Sequence, residues 1–189
     1  PWWTTDIGGF FGGAPSDPEF VELVIRWFEY GTFCPIFRLH GKRLPYDTVN
    51  KQTEFDAFLP SCAENEIWSY GEEAYQIMKK YILLRERLKP YILEQMEQAH
   101  LYGTPVMRPL VYDFYQDSET FDLGDEYMFG SDLLVAPVIE KGADKRHVYL
   151  PKGAFWKDAW TGEEYGGGQW IDALAPLDHI PLYIRDNAD

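Results

Sequence analysis

The hydrophobic period of this chain changes once, near residue 104, and that change limits what it can fold into. Before it, apolar residues recur at helical spacing in two stretches. After it come seven short runs: VMRPLVYDF, DEYMFG, DLLVAPVIE, KRHVYLP, AFWKDAW, EEYGGGQWIDA and HIPLYIR. They are rich in β-branched and aromatic residues, and Gly, Asp and Pro clusters separate them at close spacing, as in an antiparallel sandwich. The expected fold is α/β followed by all-β, with the natural cut at residues 104–118.

The first helical stretch carries its own start signal. Asp17 is a good N-cap, Pro18 suits the first helical position, and Glu19 suits the positive end of the helix dipole. Glu22, Arg26 and Glu29 form a polar stripe, while Phe20, Leu23, Val24, Trp27 and Phe28 fill much of the remaining circumference, so the helix is largely buried. Gly31 is the expected left-handed cap. The second stretch runs from Tyr70 to about Leu101, with Ala74, Met78, Tyr81, Leu84, Leu88, Tyr91, Ile92 and Met96 on one broad face. Pro90 should kink it and Gly103 should stop it. Residues 1–5 and the run TFCPIFRL read as strand segments preceding the two helices, whereas 43–70 is polar, punctuated by Pro and without a sustained period. A connection that long is usually functional or packed as a cover.

Composition narrows the partners. The formal charge of −14 argues against nucleic acid and against an anionic membrane surface, both of which need clustered Lys and Arg. No apolar run reaches the ~18 residues that a membrane span needs. Seven Trp, thirteen Tyr and twelve Phe suit either a large aromatic core or sugar rings stacked on aromatic faces. Cys34 sits in an apolar run as an expected core thiol, and neither it nor Cys62 belongs to a metal or redox motif. The four histidines are scattered, so neither a metal site nor a cofactor is expected.

Asp6 and His40 occupy equivalent places, each just after a strand-like run. In parallel α/β architectures ligands bind at that edge. Gly8 and Gly9 would let backbone approach a ligand closely. Asp6 could equally satisfy loop amides, and a lone His is often a satisfied surface or core residue. Glycoside cleavage needs two facing carboxylates. Asp6 is one candidate, but no second acid stands at a strand end: Glu19 and Glu22 belong to a helix, and Asp47, Glu54 and Asp56 lie in the unplaced loop. No Ser sits in a nucleophile elbow. DAWTGEEY and YGGGQW look like hairpin tips, with Trp156, Trp160 and Trp170 as either a sugar platform or core packing.

Several stretches together resemble the C-terminal part of glycoside hydrolase family 31, which contains α-glucosidases and α-xylosidases. They are WTTDIGGF, RWFEYGTFCPIFRLHG, LRERLKPYILEQMEQAHLYGTPVMRPL, GSDLLVAPVIEKGADKRHVYLPKGAFWKDAWTGEEYGGG and APLDHIPLYIRD, in family order along nearly the whole chain. The resemblance implies that residues 1–115 supply the last two βα units of a (β/α)8 catalytic barrel and that 116–189 form the proximal C-terminal β-sandwich. It places Asp6 in the sugar pocket, His40 on the sugar hydroxyls, and Trp3 and Phe10 as pocket wall. The substrate would be an α-linked glucosyl or xylosyl oligosaccharide, hydrolysed with retention through a covalent glycosyl-aspartate.

The family's nucleophile and acid/base aspartates lie on earlier barrel strands, and neither motif occurs here. The resemblance therefore implies that Pro1 is an interior position of a longer enzyme and that this chain alone is inactive. Open strand edges and an unmatched apolar face would make it self-associate or require the missing part of the barrel. A non-catalytic carbohydrate-binding or scaffold module is the alternative that the residues leave open.

Overall fold

The computed structural model describes residues 2–44 and 63–186. Cys62, Asp47, Glu54 and Asp56 lie outside them. Helix α1 (Pro18–Thr32) begins as its sequence dictates: the Asp17 side chain accepts from the Glu19 amide at 3.0 Å, and Pro18 follows directly. It ends one residue beyond Gly31, at Thr32, with Phe33 as cap. Gly31 is therefore not the expected left-handed cap. It lies inside the helix, where a Cβ would stand 2.6 Å from Ile7 Cδ1, so the missing side chain admits the buried Ile7. The polar stripe also turns inward, because Arg26 and Glu29 are both buried.

Helix α2 (Glu72–Tyr102) follows a single 3-10 turn at Ile67–Tyr70 and continues through Pro90 to Gly103, whose φ of 73° and bond to the Ala99 carbonyl close it. Its buried residues include Ala74, Met78, Tyr81, Ile92 and Met96 from the expected face. Ile77, Gln95 and Ala99 widen that face, and Leu84, Leu88 and Tyr91 pack half-buried at its margin.

The strand-like segments before the helices are less regular than expected. Residues 3–7 and 36–39 run parallel, with the Ile36 amide on the Trp3 carbonyl at 3.1 Å and a bridge between Ile7 and Leu39. Neither is a regular strand; only isolated bridges form. A parallel pair makes slanted bonds of modest strength and gains regularity from further neighbours. Residues 36–39 are only half covered, with Ile36 exposed.

Among the described residues the later part contains eight strands, all paired antiparallel. A six-stranded sheet has the order β1 (Met107–Pro109), β2 (Tyr127–Phe129), β3 (Leu133–Val135), β8 (Leu182–Asp186), β5 (Phe155–Asp158), β6 (Glu164–Gly166). A second sheet pairs β4 (Lys145–Leu150) with β7 (Gln169–Leu174). The first β-rich run turns helical after Pro109, forming the single turn α3 (Leu110–Asp113).

The six-stranded sheet is the middle layer, and its period-two alternation feeds two cores. Phe129, Leu133, Val135 and Leu182 face α1 and α2, while Met128, Leu134 and Tyr183 pack with Val148, Leu150 and Ala173 of the smaller sheet. Strands covered on both faces read as unbroken apolar runs, which is why FG and LLVA carry no polar alternation.

Two tip expectations part ways here. DAWTGEEY is a hairpin tip joining β5 to β6, and its turn is held by the Asp158 carboxylate, which accepts from the Trp160 and Thr161 amides. YGGGQW is instead a corner between sheets, since β6 pairs β5 whereas β7 pairs β4. A Cβ on Gly167 would lie 2.1 Å from the Pro151 carbonyl oxygen, so backbone passes backbone there. Trp156 is fully buried, and Trp160 bonds the Ile180 carbonyl and packs edge-on against Tyr81. Trp170 is exposed but stacks at 4.7 Å on His147.

Candidate functional site

The loop after Ile7 and the loop after Leu39 come together. Asp6 to Gly9 is a tight turn closed by the Gly9 amide on the Asp6 carbonyl at 2.7 Å, and Gly8 takes its third position with φ +83°, a conformation that suits glycine. The chain then runs beside 42–44. The Lys42 amide donates to the Phe10 carbonyl at 2.9 Å, the Gly12 amide to Lys42 at 3.0 Å, and the Leu44 amide to Gly13 at 2.8 Å. This backbone zipper brings the Phe10 ring to 5.4 Å from the His40 imidazole.

Asp6 pairs with Arg38, two residues before His40. Sequence reasoning did not single out Arg38; the signal available was its place two residues from His40 on the same side of an extended segment. Asp6 is about a quarter exposed, and Arg38, Phe10 and His40 are exposed, so the two loops carry a carboxylate, a guanidinium, an imidazole and a phenyl ring open to solvent. Such a set can exchange hydrogen bonds with hydroxyls beside an aromatic wall.

Trp3 lies toward α1. Its ring packs edge-on against Tyr30 of α1 at 6.3 Å, and it lines a cleft of about 800 Å³. That cleft runs between α1 and the β1–β2 side of the sheet, with Thr5, Trp27, Met107 and Tyr127 among its walls. Trp27 donates to the Thr5 hydroxyl at 2.8 Å, which fixes the segment that carries Trp3. Phe10 and His40 thus meet, Asp6 pairs with Arg38 on the same two loops, and Trp3 stands on the α1 side of the first of them.

Arg43 also escaped the sequence reading. It is fully buried, and its guanidinium reaches backbone carbonyls in both loops. Cys34 is a buried thiol, as expected, and burial pushes its pKa up to about 12, so it is not a nucleophile at neutral pH.

Residues 1–95 match the glycosyl hydrolases family 31 TIM-barrel domain, and residues 103–188 match the glycosyl hydrolase family 31 C-terminal domain. The chain belongs to glycosyl hydrolase family 31. Within that family it is similar to the α-xylosidase of Saccharolobus solfataricus, at 39% identity over 188 residues, covering 100% of this chain and 23% of the relative. It is also similar to an α-glucosidase from Bacillus thermoamyloliquefaciens, 34% identical over 187 residues, covering 97% of this chain and 20% of the relative. Among solved structures, a family 31 α-xylosidase from a soil metagenome, complexed with xylose, is 53% identical with a TM-score of 0.93; the match covers 100% of this chain and 28% of that one. The chain spans about a quarter of the length of such relatives.

Proposed function

We propose that this chain contributes one wall of the sugar pocket of a retaining α-glycosidase acting on terminal α-linked xylose or glucose. The observation that carries the reading is that two loops running in parallel order are zipped together, with Asp6 paired to Arg38 and the Phe10 ring beside His40. Asp6 and His40 hydrogen-bond sugar hydroxyls, Phe10 forms apolar wall, and Trp3 supports the segment from the α1 side. Similarity to an α-xylosidase complexed with xylose and to an α-glucosidase supports a xylosyl or glucosyl ligand.

In this reading residues 1–115 are the last two βα units of the catalytic barrel and 116–189 the proximal sandwich. Retention needs a carboxylate nucleophile and a second carboxyl group as acid/base, about 5 Å apart. The family motifs for both are absent from this sequence, so the chain supplies cradle residues and does not cleave by itself. The complete barrel supplies the acid pair.

Titration of the chain with xylose and glucose, followed by tryptophan fluorescence, tests the reading. Saturable quenching that His40→Ala abolishes is the expected result. Quenching that survives both His40→Ala and Asp6→Asn would move the sugar elsewhere.

A further inference from the structure

Asp6 and His40 are carried by separate loops, and a single nitrogen joins the backbones of both. Nη2 of Arg43 donates to the carbonyl of Ile7, the residue after Asp6, at 3.0 Å, and to the carbonyl of His40 itself at 3.3 Å. Nη1 donates to the Gly9 carbonyl at 2.9 Å and to Gly12 at 3.3 Å. Nε reaches Asn65 Oδ1 and the Tyr70 hydroxyl, both at 3.0 Å, which ties the loops to the entrance of α2. The guanidinium also lies over the Phe20 ring of α1 at 5.3 Å.

A buried cation is costly unless its donors are met, and buried carbonyls are costly unless theirs are. Here each requirement answers the other, and the acceptors named are all neutral oxygens. The planar fork of Arg fixes the angles between these bonds; an ammonium is a point charge and cannot. Both loops present a glycine to this fork. A Cβ on Gly8 would stand 2.6 Å from Nη2, and one on Gly41 would stand 2.9 Å from Nη1 and 2.2 Å from the Gly9 carbonyl oxygen. Gly8 of the first loop and the glycine after His40 thus make room for a guanidinium as well as a turn.

We propose that Arg43 is a positioning residue that sets the spacing between Asp6 and His40 by bonding both loops through one guanidinium. The proposal rests on the reading of Asp6 and His40 as sugar contacts. Arg43 touches no sugar; it acts through the backbone of residues that do.

The test is amide hydrogen exchange of the full chain together with xylose titration, on wild type, Arg43→Met and Arg43→Lys. In wild type the turn amide of Gly9 and the zipper amides of Gly12, Lys42 and Leu44 are protected. In Arg43→Met these four exchange about 100-fold faster while the β4–β7 amides are unchanged, and xylose affinity falls about tenfold or more. Arg43→Lys retains the melting transition of the β part but does not recover the affinity, a split that a purely structural role would not produce. Unchanged loop exchange in Arg43→Met, unprotected loop amides in wild type, or wild-type xylose affinity in Arg43→Lys would each overturn the proposal. Loosened loops in a chain whose wild type takes up no xylose would uphold the clamp and refute the sugar reading instead.

Discussion

The Arg26 guanidinium lies 3.3 Å from the Glu29 carboxylate one helical turn away, and both side chains are buried where α1 meets the β part. Arg26 also donates to the carbonyls of Ala143, Ala175, Pro176 and His179, at 2.7–3.3 Å. One side chain of α1 thus terminates several backbone groups of the later sequence. Tyr81 and Lys80 of α2 reach the carbonyl of Asp178 in the same region, so both helices hold the 175–180 segment.

Replacing Arg26 by Met should cost about 3–5 kcal/mol, because it takes the buried guanidinium partner from Glu29 and from several buried carbonyls. Chemical denaturation checks this. A loss below about 1 kcal/mol would mean that water reaches those groups.

The same junction makes stability depend on pH. Burial pushes Glu29 up to about 8 despite the pull of Arg26 and Tyr81, and burial likewise pushes Glu126 up to about 7. Both folded values lie above the ordinary 4.5. Between 4.5 and the folded value the native state holds protons that the unfolded chain releases, so stability falls as pH rises across that window. Melting temperature should therefore decline from about pH 5 to about pH 8, and Glu29→Gln should flatten the decline. An identical slope in the variant would show that Glu29 is ionised throughout.

Gly31→Ala sets helix propensity against packing. Alanine gains up to about 1 kcal/mol in a helix, but overpacking a buried site costs about 1–3 kcal/mol. The new Cβ would meet Ile7 Cδ1 at 2.6 Å, and Ile7 is itself buried. The single variant should be less stable than wild type. Ile7→Val removes the opposing methyl, so the double variant should lose less than the sum of the singles. Strict additivity in urea melts would show that Ile7 moves aside freely.

The isolated chain should self-associate. Trp2, Phe11, Leu23, Ile36 and Leu83 are large apolar side chains that remain exposed, and the 3–7 and 36–39 segments pair only with each other among the described residues. Sedimentation velocity across a concentration series should show the average coefficient rising. A concentration-independent monomer with a sharp melt would contradict this.

Much of the fold was legible because its signals are local. Asp17 and Pro18 start α1, Gly103 stops α2, and the seven β-rich runs mark where the strands lie, since caps, period and turn residues act within a few positions. Family membership was equally legible, carried by motifs that span almost the whole chain.

Other features depended on partners remote in sequence. Gly31 looks like a cap until Ile7 arrives beside it, and YGGGQW looks like a hairpin until β7 pairs with β4. Arg26, Glu29 and Arg43 read as polar surface by residue type. Whether a charged side chain is buried depends on whether distant carbonyls converge on its donors, and that convergence exists only in the folded chain. Local pattern was enough for the elements, their order and the family. Folding alone settled which charges went inside and how the loops of Asp6 and His40 were joined, because both require long-range hydrogen bonds that no local pattern encodes.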